Sequence, residues 1–91
     1  MMGLEEKVSA LLDENKIWAE VWEDGSNVVF FQINWGDWKH DHLRAKWLCE
    51  QHGGVERYSY VTEENGSDCY SAVHKVAFFD GFKDAPEGED E

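Results

Sequence analysis

The side chains of this sequence best suited to coordination or nucleophilic chemistry are its four histidines and two cysteines. His40-Asp41-His42 opens a segment in which Cys49 follows His42 by seven residues and His52 follows Cys49 by three. Seven residues are two turns of an α-helix, so His42 and Cys49 share one side of any helix that carries them. Zinc takes three or four nitrogen or sulfur ligands in tetrahedral geometry. A zinc reading therefore needs His42, Cys49 and a third donor from a distant element, with His74 or Cys69 as the candidates. The spacing matches no compact pattern such as paired C-x-x-C. The competing reading is a polar helix start followed by a buried, inert cysteine. Glu63, Glu64, Asn65 and Asp68 crowd one turn and offer oxygen ligands for calcium. They lack the twelve-residue EF-hand spacing and also read as a solvated hairpin tip.

Catalysis finds little support. No G-x-S-x-G, H-E-x-x-H, phosphate-binding loop or dinucleotide fingerprint occurs. Cys49 with His42 or His52 is the one pairing that would resemble a nucleophile and its base. The expectation is a protein without catalytic residues. Zinc or calcium would be its only cofactor, in the alternative reading of a small metal-binding domain.

Charge limits the partners. Asp and Glu number 20 against 8 Lys and Arg, for a net charge of −12. Six of those acids lie between Asp80 and Glu91, against one base, Lys83, and the rest leave the body acidic in its own right. A nucleic-acid binder presents a basic face that releases phosphate counterions, so direct nucleic-acid binding is not expected. Anionic membrane surfaces are disfavoured for the same reason. A basic protein partner fits, steered by the opposite charge. The start Met-Met-Gly-Leu-Glu-Glu-Lys has no apolar run, and no stretch of about 20 apolar residues follows. With only two cysteines, the reading is a reduced, cytoplasmic protein.

The elements that must position these residues follow from periodicity. The chain has 91 residues, one domain's worth, and buries roughly 60–65% of the surface its unfolded form exposes. Any ligand site is then a groove or a sheet face. Leu4, Val8, Leu11 and Leu12 form one helical stripe, with Glu5 and Glu6 early and Asn15 as a stop, predicting a helix over 3–14. Residues 17–23 and 27–35 are rich in Ile, Val, Phe and Trp, and Asp24-Gly25 lies between them as a two-residue hairpin turn. That register sets Val21 opposite Val28 and Ala19 opposite Phe30. Ile17, Ala19, Val21, Val28 and Phe30 then share one face, and Trp18, Trp22, Val29, Phe31 and Ile33 the other, with Glu20. Trp38, Asp41/His42, Ala45, Leu48/Cys49 and His52 predict a second helix over 38–52, stopped by Gly53-Gly54. Residues 55–62 and 68–79 form a second hairpin around Asn65-Gly66, with Val61 opposite Tyr70 and Val55 opposite Val76.

The order is αββαββ. The predicted fold is an α+β two-layer sandwich, a four-stranded antiparallel sheet with two helices on one face. This is what a ferredoxin-like βαββαβ chain becomes when its first strand moves to the C-terminus. Residues 1–79 form the domain and 80–91 a flexible acidic tail. The sheet's apolar residues exceed what one face can hold. Trp18, Trp22, Phe31, Tyr58 and Tyr60, with Glu20, are expected on an open aromatic face that binds a partner. A sharper version is a nucleic-acid mimic, with carboxylates where phosphates would lie. An exposed edge strand would also allow two copies to pair.

Overall fold

The computed structural model describes residues 3–25, 27–34, 38–63 and 70–84. The element order is α1 (Leu4–Glu14), β1 (Glu20–Glu23), β2 (Val28–Ile33), α2 (Trp38–Gln51), β3 (Val55–Glu63) and β4 (Tyr70–Ala77). The four strands form one antiparallel sheet in the order β1-β2-β4-β3. The second hairpin has slipped in beside β2, so that β4 pairs with both β2 and β3. This is the strand order of the permuted ferredoxin-like arrangement.

Both helices lie on one face. Val8 and Leu12 of α1 and Ala45 and Cys49 of α2 meet Val29, Phe31 and Ile33 of β2 and Val76 of β4 in one buried cluster that also holds Ile17 and Phe78. α1 begins where the Glu6 carboxylate accepts the Gly3 N–H (2.9 Å). The Glu23 carboxylate of β1 accepts the Glu5 N–H (2.8 Å). Two of the helix's unpaired amides are thereby satisfied by negative groups at its positive end. The helix stops at Asn15, whose side-chain amide donates to the Leu11 carbonyl (2.8 Å), and Lys16 takes positive φ (64°).

α2 ends in a Schellman motif. Gly53 has φ 92°, its N–H donates to the Glu50 carbonyl (3.2 Å), and the Gly54 N–H donates to the Cys49 carbonyl (2.8 Å). Gly54 is buried where a Cβ would stand 2.7 Å from Val76 Cγ1, 2.9 Å from the Cys49 carbonyl oxygen and 3.0 Å from Phe78 Cζ. One of those atoms is backbone and cannot step aside cheaply. Gly54→Ala is expected to cost about 1–3 kcal/mol, the range for overpacking a filled site, read as a lower denaturation midpoint.

The register differs from the sequence expectation in both hairpins. In the first, Glu23 pairs with Val29, Trp22 with Phe30 and Val21 with Phe31. The connection is longer than two residues: the Asp24 N–H donates to the Val28 carbonyl (3.0 Å), with positive φ at both Gly25 (79°) and Asn27 (64°). An odd-numbered slip turns one strand over relative to the other. Val29, Phe31 and Ile33 therefore join Val21 beneath the helices, and Val28 and Phe30 turn outward. The driving force is the alternation itself, since the odd positions of β2 carry three large apolar side chains, all buried.

In the second hairpin Val61 pairs with Ala72, Ser59 with His74 and Tyr58 with Lys75. A bulge at Arg57 then sets Glu56 opposite Val76 and Val55 opposite Ala77. The Asn65-Gly66 turn, Glu64, Asp68 and Cys69 lie outside the described residues. The described residues that follow β4 touch the end of α2. His52 and Lys83 exchange bonds, the Lys83 N–H donating to the His52 carbonyl (2.8 Å) and the His52 Nδ1–H to the Lys83 carbonyl (2.5 Å). Phe82 stacks on the His52 ring at 4.5 Å. Phe82 and Lys83 thus pack against the end of α2, and 85–91, most of the expected acidic tail, lie outside the described residues. Among the described residues no helix is long and apolar enough to cross a membrane.

Candidate functional site

The face of the sheet away from the helices carries a row of side chains that crosses all four strands. Trp22 of β1 pairs with Phe30 of β2, Phe30 with Lys75 of β4, and Lys75 with Tyr58 of β3. Directly paired residues put their side chains side by side on one face. The Trp22 and Phe30 rings stack at 5.5 Å with 4° between planes. The Lys75 ammonium sits 5.6 Å from the Phe30 ring centre and 5.5 Å from that of Tyr58, a cation held between two aromatic faces. Phe30 and Tyr58 also meet edge to face at 6.3 Å, and Tyr60 stacks beside Tyr58 at 6.2 Å. A parallel row on the same face runs Glu20, Gln32, Val73, Tyr60. Trp22, Tyr58 and Tyr60 remain 38%, 47% and 48% exposed.

Of the residues expected on this face, Glu20, Trp22, Tyr58 and Tyr60 lie there, and Phe31 does not. Phe31 is wholly buried on the helix side, because the register of the first hairpin turns it inward. Phe30 takes its place in the row. Trp18 precedes β1 and is 74% exposed. It lines a groove of about 250 Å³ with Asp13, Ala19, Glu20 and Asn34, where the end of α1 meets the start of β1 and the end of β2. The groove's ionisable lining is two carboxylates, and the negative end of the α1 dipole lies beside it.

His42 and His74, the histidines of the alternative metal reading, lie against each other. His42 Nδ1 lies 2.9 Å from His74 Nε2. His74 is buried in the core, its Nδ1 hydrogen-bonded to the Glu56 carboxylate. Phe31 stacks on the His74 ring at 4.9 Å. The two imidazoles use their facing nitrogens on each other, and among the described residues no three His, Cys, Asp or Glu side chains converge as a metal site. Cys49 is a buried core residue. Burial, with Glu50 adding to it, pushes its thiol up to about 12, which leaves it a neutral thiol and a poor nucleophile or ligand. His42 is held below the ordinary histidine value, first by burial and then by His74, with Glu56 opposing.

Glu56 had no place in the sequence-based site. Its position on the core side depends on the bulge at Arg57, which shifts the alternation of β3 by one. His74 was legible: it alternates with Ala72 and Val76, so the core face of β4 includes a histidine that needs a partner. Two basic side chains of α2, Arg44 and Lys46, find partners within the molecule. Arg44 donates to the Asn15 carbonyl (2.9 Å) and Lys46 meets Glu50 at 3.9 Å. No family model matches this chain, and it has no significant match among curated proteins or solved structures.

Proposed function

We propose that this protein is a non-enzymatic binding module that docks its open sheet face on a basic partner protein. The observation that supports the reading best is the Trp22–Phe30–Lys75–Tyr58 row, extended by Tyr60. Aromatic side chains of this kind supply most of the energy at protein interfaces because they bury large area with little loss of rotamer freedom. They stand here already stacked, so little further ordering is needed on binding. The net charge of −12 and the carboxylates of the neighbouring groove favour a partner rich in Lys and Arg. Lys75 shows the chemistry within the molecule, since these rings already accept a cation between them. A nucleic-acid mimic is the narrower form of the same reading, in which exposed carboxylates such as Glu20 on β1 stand in for phosphates.

The test is capture of partners at about 0.1 M and about 0.5 M salt, a range over which exposed charge pairs become screened, with wild type and Tyr58→Ala/Tyr60→Ala side by side. A basic protein held by wild type at low salt should be released at high salt. The variant should bind it at least about tenfold more weakly, since one interfacial aromatic is worth 1.4 kcal/mol or more. Equal binding by the variant would remove this face as the docking surface. Both tyrosines are half exposed, so the variant should still fold.

A further inference from the structure

Ile17 and Ala19 pack with the core beneath the helices, so the alternation of extended chain turns Trp18, between them, outward. Its side chain is 74% exposed. It stands at the groove of about 250 Å³ that it lines with Asp13, Ala19, Glu20 and Asn34. Drug-sized ligands take pockets of roughly 300–1,000 Å³, so this groove suits the end of a single side chain. The lining offers an indole, two carboxylates, an amide and a methyl group. Indole is the best ring for holding a cation over its face. The carboxylates and the amide oxygen accept hydrogen bonds from a cation's N–H groups. Lys16, two residues before Trp18, is not part of the lining, and Arg44 donates to the Asn15 carbonyl instead.

Other surface rings of this molecule hold a cation of their own. Arg57 stands 5.8 Å from the ring centre of Phe79, and Lys75 lies between Phe30 and Tyr58. Among the described residues no base stands over Trp18. We propose that the Trp18 groove receives an arginine side chain of the basic partner, its plane on the indole and its N–H edge toward the Asp13 and Glu20 carboxylates. Arginine fits this lining better than lysine does. Its guanidinium is planar and weakly hydrated, so it stacks on a ring and donates to carboxylates in its own plane at once. A lysine ammonium is a compact, strongly hydrated charge that gains less from the ring. Glu20 joins the groove to the open face, since it lines the one and pairs with Gln32 in a row of the other. The assignment rests on the reading of a basic partner docked on that face and names the residue it would insert beside it.

The test is an NMR titration of the isotope-labelled full chain with acetyl-Gly-Arg-Gly-amide, so its result does not depend on capturing the partner. The Trp18 indole N–H and the amides of Asp13, Ala19, Glu20 and Asn34 should shift and saturate. The citrulline tripeptide, which has the same shape without the charge, should leave them in place, and the lysine tripeptide should bind more weakly. Equal shifts with citrulline, or lysine binding as tightly as arginine, would overturn the proposal. Trp18→Ala should weaken arginine binding about two- to fivefold, the fold-change of a cation–π contact at an exposed site. Asp13→Asn/Glu20→Gln keeps the shape, removes both charges and should weaken it at least as much. All three side chains are exposed, so both variants should melt as wild type does. Tyr58→Ala/Tyr60→Ala should bind the tripeptide like wild type, which separates the groove from the aromatic row. Unchanged binding by Trp18→Ala, or a loss in the tyrosine variant alone, would overturn the groove as the arginine site.

Discussion

Phe31→Ala is expected to cost about 3–5 kcal/mol of folding stability, the range for emptying a buried aromatic site, while Phe30→Ala costs about 1 kcal/mol. The two residues are adjacent and identical in type, so propensity and composition cancel in the comparison. Phe31 is wholly buried, packs with Val29, Ile33 and Val76, and stacks on His74. Its loss leaves a cavity under both helices. Phe30 is partly exposed and holds only the open-face row together, through Trp22, Tyr58 and Lys75. Chemical denaturation of both variants measures the difference. The reverse ranking would mean that the first hairpin pairs in the register with Asp24-Gly25 as a two-residue turn, and that the open face is the other one.

Phe30→Ala has a second expected effect. It should weaken partner binding as the tyrosine variant does, because it removes the link between Trp22 and Tyr58. Phe31→Ala, assayed where it remains folded, should leave binding largely intact. Stability and binding thus separate on two neighbouring phenylalanines, and that separation follows from the period-two alternation of β2.

The same alternation marks how far the sequence carries. The αββαββ order, both helices to within a residue or two of their ends, the Gly53-Gly54 stop and the sheet in which the second hairpin joins strand two were all readable from stripes, turn residues and caps. Each of those signals is local. The register of the first hairpin was not, because Asp24-Gly25 is a strong two-residue turn signal and the chain uses a longer loop with a second positive φ at Asn27. The alternation of Val29, Phe31 and Ile33 against Val28, Phe30 and Gln32 held the answer, since only the odd set is uniformly large and apolar. A turn dipeptide specifies a local backbone shape at a cost of a kilocalorie or so, whereas burying three large side chains is worth several kcal/mol. The burial decides. Glu56 escaped for a different reason. A bulge breaks the parity that places strand residues on faces, and nothing in Arg57 or its neighbours announces one.

His74→Ala is expected to cost about 3–5 kcal/mol, again the range for emptying a buried ring site, and His74→Phe distinctly less. In the wild type His74 fills space under Phe31 and also satisfies Glu56 and His42. Alanine removes both contributions. Phenylalanine restores the volume and the stack but leaves Glu56 and His42 without their bonds, for about 1–3 kcal/mol, the cost of an orphaned polar group. Glu56 is about one-fifth exposed at its side chain, so water can reach it and the lower part of that range is expected. His74→Phe should also weaken the acid dependence of stability. In wild type, His42 is held below its unfolded value of about 6.5. The unfolded chain therefore binds the extra proton first, and stability present above pH 6.5 is lost as pH falls through that value. Without the His74 ring one of the causes that lowers His42 is gone, and the loss between pH 6.5 and 5.5 should shrink. Stability curves for wild type, His74→Ala and His74→Phe across pH 7.5 to 5.5 measure both effects at once. An equal deficit in the two variants, with the acid dependence unchanged, would mean that the ring's volume is irrelevant and that the histidine pair carries no linked proton.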